Sequence, residues 1–377
     1  MRLGNVNAVM RKEFLHLIRD ARSLILAFAI PLMLIILFGY ALSLDVDDVR
    51  TVVVDYDRTD ASRDFIGSLD SSPYFRVTGH PDSADGAVSH LDHGSATLAV
   101  VIPAGFAADL RGDRPSPVQV LLDGSDPNFA NIARGYITSF VERYNRNLLL
   151  KFLDRNGMQP VNPPVDARVR VWFNEDLESR KFIVPGIIAI IIMIAGAMLT
   201  SLVIAREFEN GTMETIKSLP ITALEFIIGK AVPYFFITLI DVLTSVLLGQ
   251  VLFGVVMKMS FLFMILASSL YIMVALALGL FISSVLKSQL MANQGAVLIT
   301  YLPSFLLSDF VFPITNMPVV LQAVTYVVPA RYYMHILFGI YLKDLGFMHL
   351  WHDFAVLAAM LVVLSLATAR ILMKEGL

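Results

Sequence analysis

Few residues of this chain are equipped for chemistry, and most of them fall in two places. One is a polar interval at residues 206–230, REFENGTMETIKSLPITALEFIIGK, whose carboxylates and bases lie between long apolar runs. The other is the interior of the apolar runs themselves, where Asp241, Gln250 and Asn293 stand as isolated polar groups and candidates for a substrate pathway. A carboxylate in such a run marks a substrate pathway, a proton relay or a partner for a base. The rival reading of Asp241 is a local bond to Thr238, Thr244 or Ser245. Two histidine pairs, His90 with His93 and His349 with His352, have i, i+3 spacing and could each give a metal two ligands, but neither has a carboxylate set beside it to complete a shell. The nearest approach to the phosphate-cradling G-x-x-x-x-G-K-[ST] is Gly229-Lys230, where position 224 is leucine. No G-x-S-x-G supports a serine nucleophile. Cysteine is absent, which removes disulfides, thiolate ligands and cysteine nucleophiles.

The polar interval carries its own punctuation. Gly211 gives a flexible entry, Thr212 is the expected N-cap, and Glu214 in the first turn suits the positive end of the helix dipole. Pro220 disfavours helix at Leu219 and ends the element after about two turns. A second helix opens at once, with Thr222 and Glu225 in capping-box spacing, and runs into the next apolar segment. The expectation is a short rigid helix at a bend between two apolar spans.

Those spans follow from composition. The chain has 377 residues, 56% hydrophobic and 16% charged, with net charge −3. Soluble domains carry about 25% charge, so much of this chain is solvated by lipid, and the charge is too small to argue for nucleic acid. Residues 1–23 form a basic amphipathic segment, with Leu3, Val6, Met10, Phe14, Leu17 and Ala21 at helical spacing, expected to lie in a membrane surface. Residues 24–44 are an uncharged run long enough to span a bilayer, and too long for a signal-peptide core. Further spans are expected at 182–205, 231–257, 259–286, 290–308 and 350–371. The apolar interval 309–349 is broken by Pro313, Pro318 and Pro329, and reads as two half-helices entering from one side under a cover of protein.

Between the first and second spans, residues 45–181 turn soluble in composition. Strands are expected at 50–57, 74–78, 97–102, 118–123 and 168–173, and helices at 62–69, 84–91, 104–110 and 128–155, an α/β or α+β domain. The fold class is thus a polytopic α-helical membrane protein of six spans. It carries an inserted extracytoplasmic domain and a broken re-entrant segment between spans five and six. Lysine and arginine settle the orientation. Arg2, Arg11, Lys12, Arg19, Arg22, Arg206, Lys217, Lys230, Lys287, Arg370 and Lys374 lie on one side, against Lys258, Arg331 and Lys343 on the other. The positive-inside rule therefore puts both termini and the 206–230 loop in the cytoplasm.

With loop and topology in place, the chain resembles the permease subunits of ABC-2 type transporters, closest to the multidrug-exporter-like branch with a large domain after the first span. The likeness covers nearly the whole chain. It is carried by residues 206–230, which match E-x-E-x-G-T-x-E…P…GK, and by residues 307–343, LSDFVFPITNMPVVLQAVTYVVPARYYMHILFGIYLK. The chain departs from the family at Asp309, where glycine is usual, and at Phe338, near which arginine is frequent. The resemblance implies a bacterial inner-membrane permease that holds no cofactor, with ATP and Mg bound by a separate ABC ATPase subunit. It implies a second permease chain, as homodimer or heterodimer, and allows a periplasmic adaptor protein. It makes the helix around 212–218 a coupling helix. Glu207, Glu209 and Glu214 would be charged contacts to the ATPase, and Phe208, Met213, Ile216 and Leu219 the anchoring apolar face. Gly211, Thr212, Lys217 and Pro220 would shape the same element. Two rival functions remain: a proton-coupled secondary transporter using Asp241, and a membrane-anchored sensor or hydrolase acting through the outer domain.

Overall fold

The computed structural model describes residues 3–19, 21–41, 48–112, 114–155 and 178–377, together with Gly157 and Phe173. The chain divides into a membrane unit, residues 1–43 and 170–377, and an inserted unit, residues 44–169.

The membrane unit begins with α1 (Leu3–Arg19) and α2 (Ala21–Ala41, with Pro31 inside it). The insert follows in chain order. It comprises β1 (Val49–Asp55), α3 (Asp60–Asp70), β2 (Phe75–Gly79), α4 (Ala84–Asp92), β3 (Leu98–Ile102), α5 (Phe106–Arg111), β4 (Gln119–Leu122) and α6 (Pro127–Arg155). The sheet order is β2-β1-β3-β4, with β1 parallel to both neighbours and β4 antiparallel to β3. Strands buried on both faces read as unbroken apolar runs, and the VVV of β1 does so. Val53 turns to a core with Phe65, Leu69, Phe75, Ile137 and Phe140, while Val52 and Val54 face Ala87, Ala99 and Val101. In its described part the insert alternates strands with helices, whereas the strand expected at 168–173 and the proline-rich loop before it lie outside the described residues.

The membrane unit resumes with α7 (Arg180–Glu209), α8 (Thr212–Lys217), α9 (Ala223–Phe253) and α10 (Phe261–Leu286). The next helical stretch is composite: α11 (Gln289–Ala296), a π-helical turn (Val297–Tyr301) and α12 (Leu302–Leu306). A single α-helix was the expectation at 290–308. Pro303 has no N–H to donate to the preceding turn, and a widened π turn beside it absorbs the break.

After a 3-10 turn (Ile314–Asn316) come α13 (Val319–Thr325), α14 (Pro329–Phe338) and α15 (Phe347–Lys374). Pro318 caps α13 and Pro329 opens α14, so these prolines begin helices rather than interrupt them. The expected cover of protein is present over α14, where Tyr333, Met334 and Ile336 are fully buried. It is not present over α13, whose Val319 is 80% exposed beside Val320 and Val327. Exposed with it are apolar side chains, Val320 at 76% and Val324 at 45% among them.

Among the described residues, α7, α9, α10 and α15 are each long and apolar enough to cross a membrane, and α2 contributes the shorter apolar stretch Pro31–Tyr40. The molecule is therefore mostly helical, with a small sheet, as an α-helical membrane protein should be. Helix α7 is its axis: Ile187, Ile188, Ile191 and Met193 are almost wholly buried. Lipid supplies no hydrophobic drive between helices, so close approach and hydrogen bonds hold them together. Thr200 donates to the Leu276 carbonyl at 3.1 Å, and Ser283 accepts from the amides of Ile204 and Ala205 at 3.0 and 2.8 Å. A Cβ on Gly279 would lie 2.4 Å from the Ala197 carbonyl oxygen, so α10 needs hydrogen at that position.

Candidate functional site

The polar interval folds as a junction of α1, α7, α8 and α9. Gly211 adopts φ +69°, a left-handed turn that reverses the chain between α7 and α8 and that glycine enters without a Cβ penalty. That turn makes Gly211 itself the N-cap, correcting the expectation for Thr212, which becomes the first helical residue. The Thr212 hydroxyl instead donates to the Glu207 carboxylate, a charged acceptor that outcompetes a backbone partner. Helix α8 ends at Lys217, with Ser218 as its C-cap, ahead of Pro220. The Thr222–Glu225 capping box forms in full, with Glu225 N–H donating to the Thr222 hydroxyl at 3.3 Å and Thr222 N–H to the Glu225 carboxylate at 3.1 Å.

Beneath this turn lies a buried ionic cluster. Lys230 is only 2% exposed, and its ammonium donates to Glu207 at 2.6 Å and to Glu13 at 2.9 Å. Lys12 reaches Glu207 at 2.9 Å, and the Tyr234 hydroxyl donates to Glu13 at 3.0 Å. Two carboxylates and two ammoniums balance, as burial demands, since a lone charge there would be costly. Asn5 ties α1 to the loop, donating to the Pro220 carbonyl at 2.9 Å and to Glu225 at 3.0 Å. Gly229 makes the fit possible: a Cβ there would lie 2.7 Å from the Cβ of Val9. The Gly-Lys pair that failed as a phosphate cradle thus seats α1 on α9. Sequence reading missed Glu13, Lys230 and Tyr234 as members of one site. The one signal was a lone glutamate in the strongly basic α1.

Other polar residues fasten the neighbouring connection. Glu209 accepts from the backbone and side chain of Gln289 at 2.8 and 2.6 Å, and Arg206 also reaches Gln289 at 3.3 Å. Lys287 pairs with Glu375 and lies over the Phe208 ring at 5.1 Å; the Glu375 carboxyl is held below the usual range by its hydrogen bond from Lys287.

The residues expected to meet a partner divide by burial. Glu207 is buried and paired within the chain, while Met213 and Ile216 pack into its core, so none of these three is open to a second protein. Phe208 is half-buried. The outward face is Gly211, Thr212, Glu214, Thr215, Ser218, Leu219 and Pro220, with Lys217 folded against Glu214 at 2.9 Å. A six-residue helix cannot turn Met213 and Ile216 both inward and outward, and the apolar pair goes to the larger apolar surface, the core of its own chain.

Asp241 occupies a different place. It is 2% exposed, and neither carboxylate oxygen has a hydrogen-bond partner; the Thr238 hydroxyl one turn earlier is also unpartnered. The local bond that was the rival reading is not made: Thr244 donates to the Ile240 carbonyl at 2.8 Å instead. Asp241 borders a cavity of about 490 Å³ between α2 and α9. Gln250 is exposed and Asn293 half-buried, and neither lines that cavity. Among the described residues no group of three His, Asp or Glu side chains could hold a metal. His90 and His93 bond locally, to Ser95 at 2.8 Å and the Ser89 carbonyl at 2.7 Å. His335 finds Asp353 at 2.8 Å, a pair separated by 18 positions that no spacing rule reveals. Asp309 adopts φ +73°, the left-handed conformation that favours glycine.

Fold and junction together define a multi-pass membrane protein whose long apolar helices are locked to one short polar turn. The model of the ABC-2 family transporter protein family matches residues 21–370, and the chain belongs to that family. It is 37% identical over 338 residues to YbhS of Escherichia coli strain K12, described as a probable multidrug ABC transporter permease, covering 89% of this chain and 88% of that one. It is 30% identical over 345 residues to the similarly described YbhR of the same strain, covering 92% of each. The inner membrane transport permease YhhJ, also of strain K12, is 26% identical over 311 residues, covering 81% of this chain and 80% of that one. The chain is thus an ABC-2 permease, a transmembrane transport component.

Proposed function

We propose that this permease is the non-catalytic membrane subunit of an ATP-driven exporter. It moves lipophilic or amphipathic, drug-like molecules out of the cytoplasm or inner leaflet. ATP and Mg are bound by a separate ABC ATPase subunit, and two permease chains pair around the pathway. The six spans are α2, α7, α9, α10, the composite α11–α12 and α15, with 309–349 as an outer broken segment. Both termini and the 206–230 loop lie in the cytoplasm of a bacterium, under the inner membrane, and the insert lies outside, where an adaptor protein could dock. The multidrug descriptions of YbhS and YbhR and the inner-membrane description of YhhJ support this reading.

One observation supports the coupling role: the ionic cluster of Glu13, Glu207 and Lys230 fastens α1 to the ends of α7 and α9, and Thr212, the first residue of α8, donates to the same Glu207 carboxylate. Force applied to the outward face of α8 then moves α7 and α9 as a unit, because a charge pair without water cannot stretch without losing several kcal/mol. The contact face is Glu214, Thr215, Ser218 and Leu219, with Gly211 and Pro220 setting its angle. The test is reconstitution with a candidate ABC ATPase subunit from the same organism. Leu219→Asp combined with Glu214→Lys should abolish co-purification and transport while the permease stays folded. Transport at the unaltered rate in that variant, or transport by the permease alone, would refute the role.

A further inference from the structure

The cavity between α2 and α9 is walled by Ile25, Phe28, Pro31, Leu32 and Leu248, and its floor carries Asp241. Its volume, about 490 Å³, falls in the range of roughly 300–1,000 Å³ typical of drug-sized sites. The chemistry of the wall is uneven in an informative way. Nearly all of it is apolar, Thr244 and Ser245 add hydroxyls, and Asp241 is the sole ionisable side chain among the described residues lining it. Both oxygens of that carboxylate lack a partner, though the residue is 98% removed from the surface by its 2% exposure. Buried polar groups are normally satisfied, and a buried carboxylate is paired or takes up a proton.

The geometry points to a binding site for a lipophilic monovalent organic cation, with Asp241 as its counter-ion and the apolar groove between α2 and α9 as the seat of its hydrocarbon part. A small metal cation does not fit, because it needs about six oxygen ligands and the described residues of the wall offer one carboxylate and two hydroxyls. A neutral apolar molecule would fill the groove but leave the carboxylate stranded. A monovalent cation with a broad apolar body answers both features, and Phe28 adds an aromatic ring to the wall. As a substrate site this rests on the exporter reading; as a binding site it does not.

The test is equilibrium binding to the full chain in lipid nanodiscs. The probes are methyltriphenylphosphonium and its neutral near-isostere triphenylphosphine oxide. Wild type should bind the phosphonium saturably and at least about tenfold more tightly than the oxide, as loss of one member of a desolvated charge pair implies. Asp241→Asn should erase that preference by weakening the cation alone. Ala29→Trp, which fills the groove and keeps the acid, should weaken both probes. Equal affinity of wild type for the two probes overturns the site, as does phosphonium binding unchanged in Asp241→Asn. If Asp241→Asn does not fold, unchanged binding in Ala29→Trp is equally decisive. Asp241-dependent binding upholds the site even where no ATP-driven export of the phosphonium is found, an outcome that counts against the exporter reading alone.

Discussion

Lys230 is the residue on which the junction turns. Replacing it by methionine keeps the volume but leaves Glu13 and Glu207 buried, with only the half-exposed Lys12 against Glu207. Breaking a buried pair in this way costs about 3–5 kcal/mol, so Lys230→Met should lower the thermal midpoint in nanodiscs by several degrees. Lys12→Ala, removing a side chain 52% exposed, should cost only about 1 kcal/mol or less. Equal shifts for the two variants would mean that the cluster is not the buried, balanced unit described. Gly229→Val acts on the same contact by volume, because its Cβ would collide with Val9. It should detach α1 and raise protease cleavage within residues 3–19 of an otherwise intact chain.

At the scale of elements, α8 is a two-faced helix with separable faces. Ile216→Asp strikes the inward face and should destabilise the permease itself. Leu219→Asp strikes the outward face and should spare folding, as read by size-exclusion profile and unfolding midpoint. In the insert, the loop after β1 depends on Asp57. Its carboxylate accepts from the Thr59 hydroxyl and from the amides of Gly105 and Ala107, and the Thr59 bond leads in holding its carboxyl below the usual range. A lowered folded value means stability that is present above the ordinary carboxylate range and lost as the pH falls through the lowered one. Asp57→Asn should therefore flatten the acid limb of insert unfolding, followed by fluorescence across falling pH. An unchanged acid limb would remove Asp57 from that role.

The absence of cysteine makes the whole molecule directly testable. Single cysteines can be introduced without removing native ones and reached with a membrane-impermeant thiol reagent. Ser218→Cys should react only after the cell envelope is opened to the cytoplasm, whereas Ser125→Cys in the insert should react from the periplasmic side of intact inner membranes. Labelling of Ser218→Cys from outside would invert the proposed topology and take the coupling role with it.

The four long apolar helices α7, α9, α10 and α15 were legible from the chain alone, as were the strands and helices in the described part of the insert, because each rests on local signals. Length of an apolar run, period-two and helical alternation, the Thr222–Glu225 box and the prolines at 220, 318 and 329 act within a few residues of themselves. The ends of elements moved where local rules compete, as at Gly211, which took the cap from Thr212. What no local pattern carried was assignment of partners. Glu13 meets Lys230 across 217 positions and His335 meets Asp353 across 18; the sequence shows the charges but not which of them share a buried site. The inward turn of Met213 and Ile216 likewise depended on the tertiary core they join. So did the stranding of Asp241, since whether a carboxylate in an apolar run finds a partner is decided by the neighbouring helices, and here α2 offers it a groove instead.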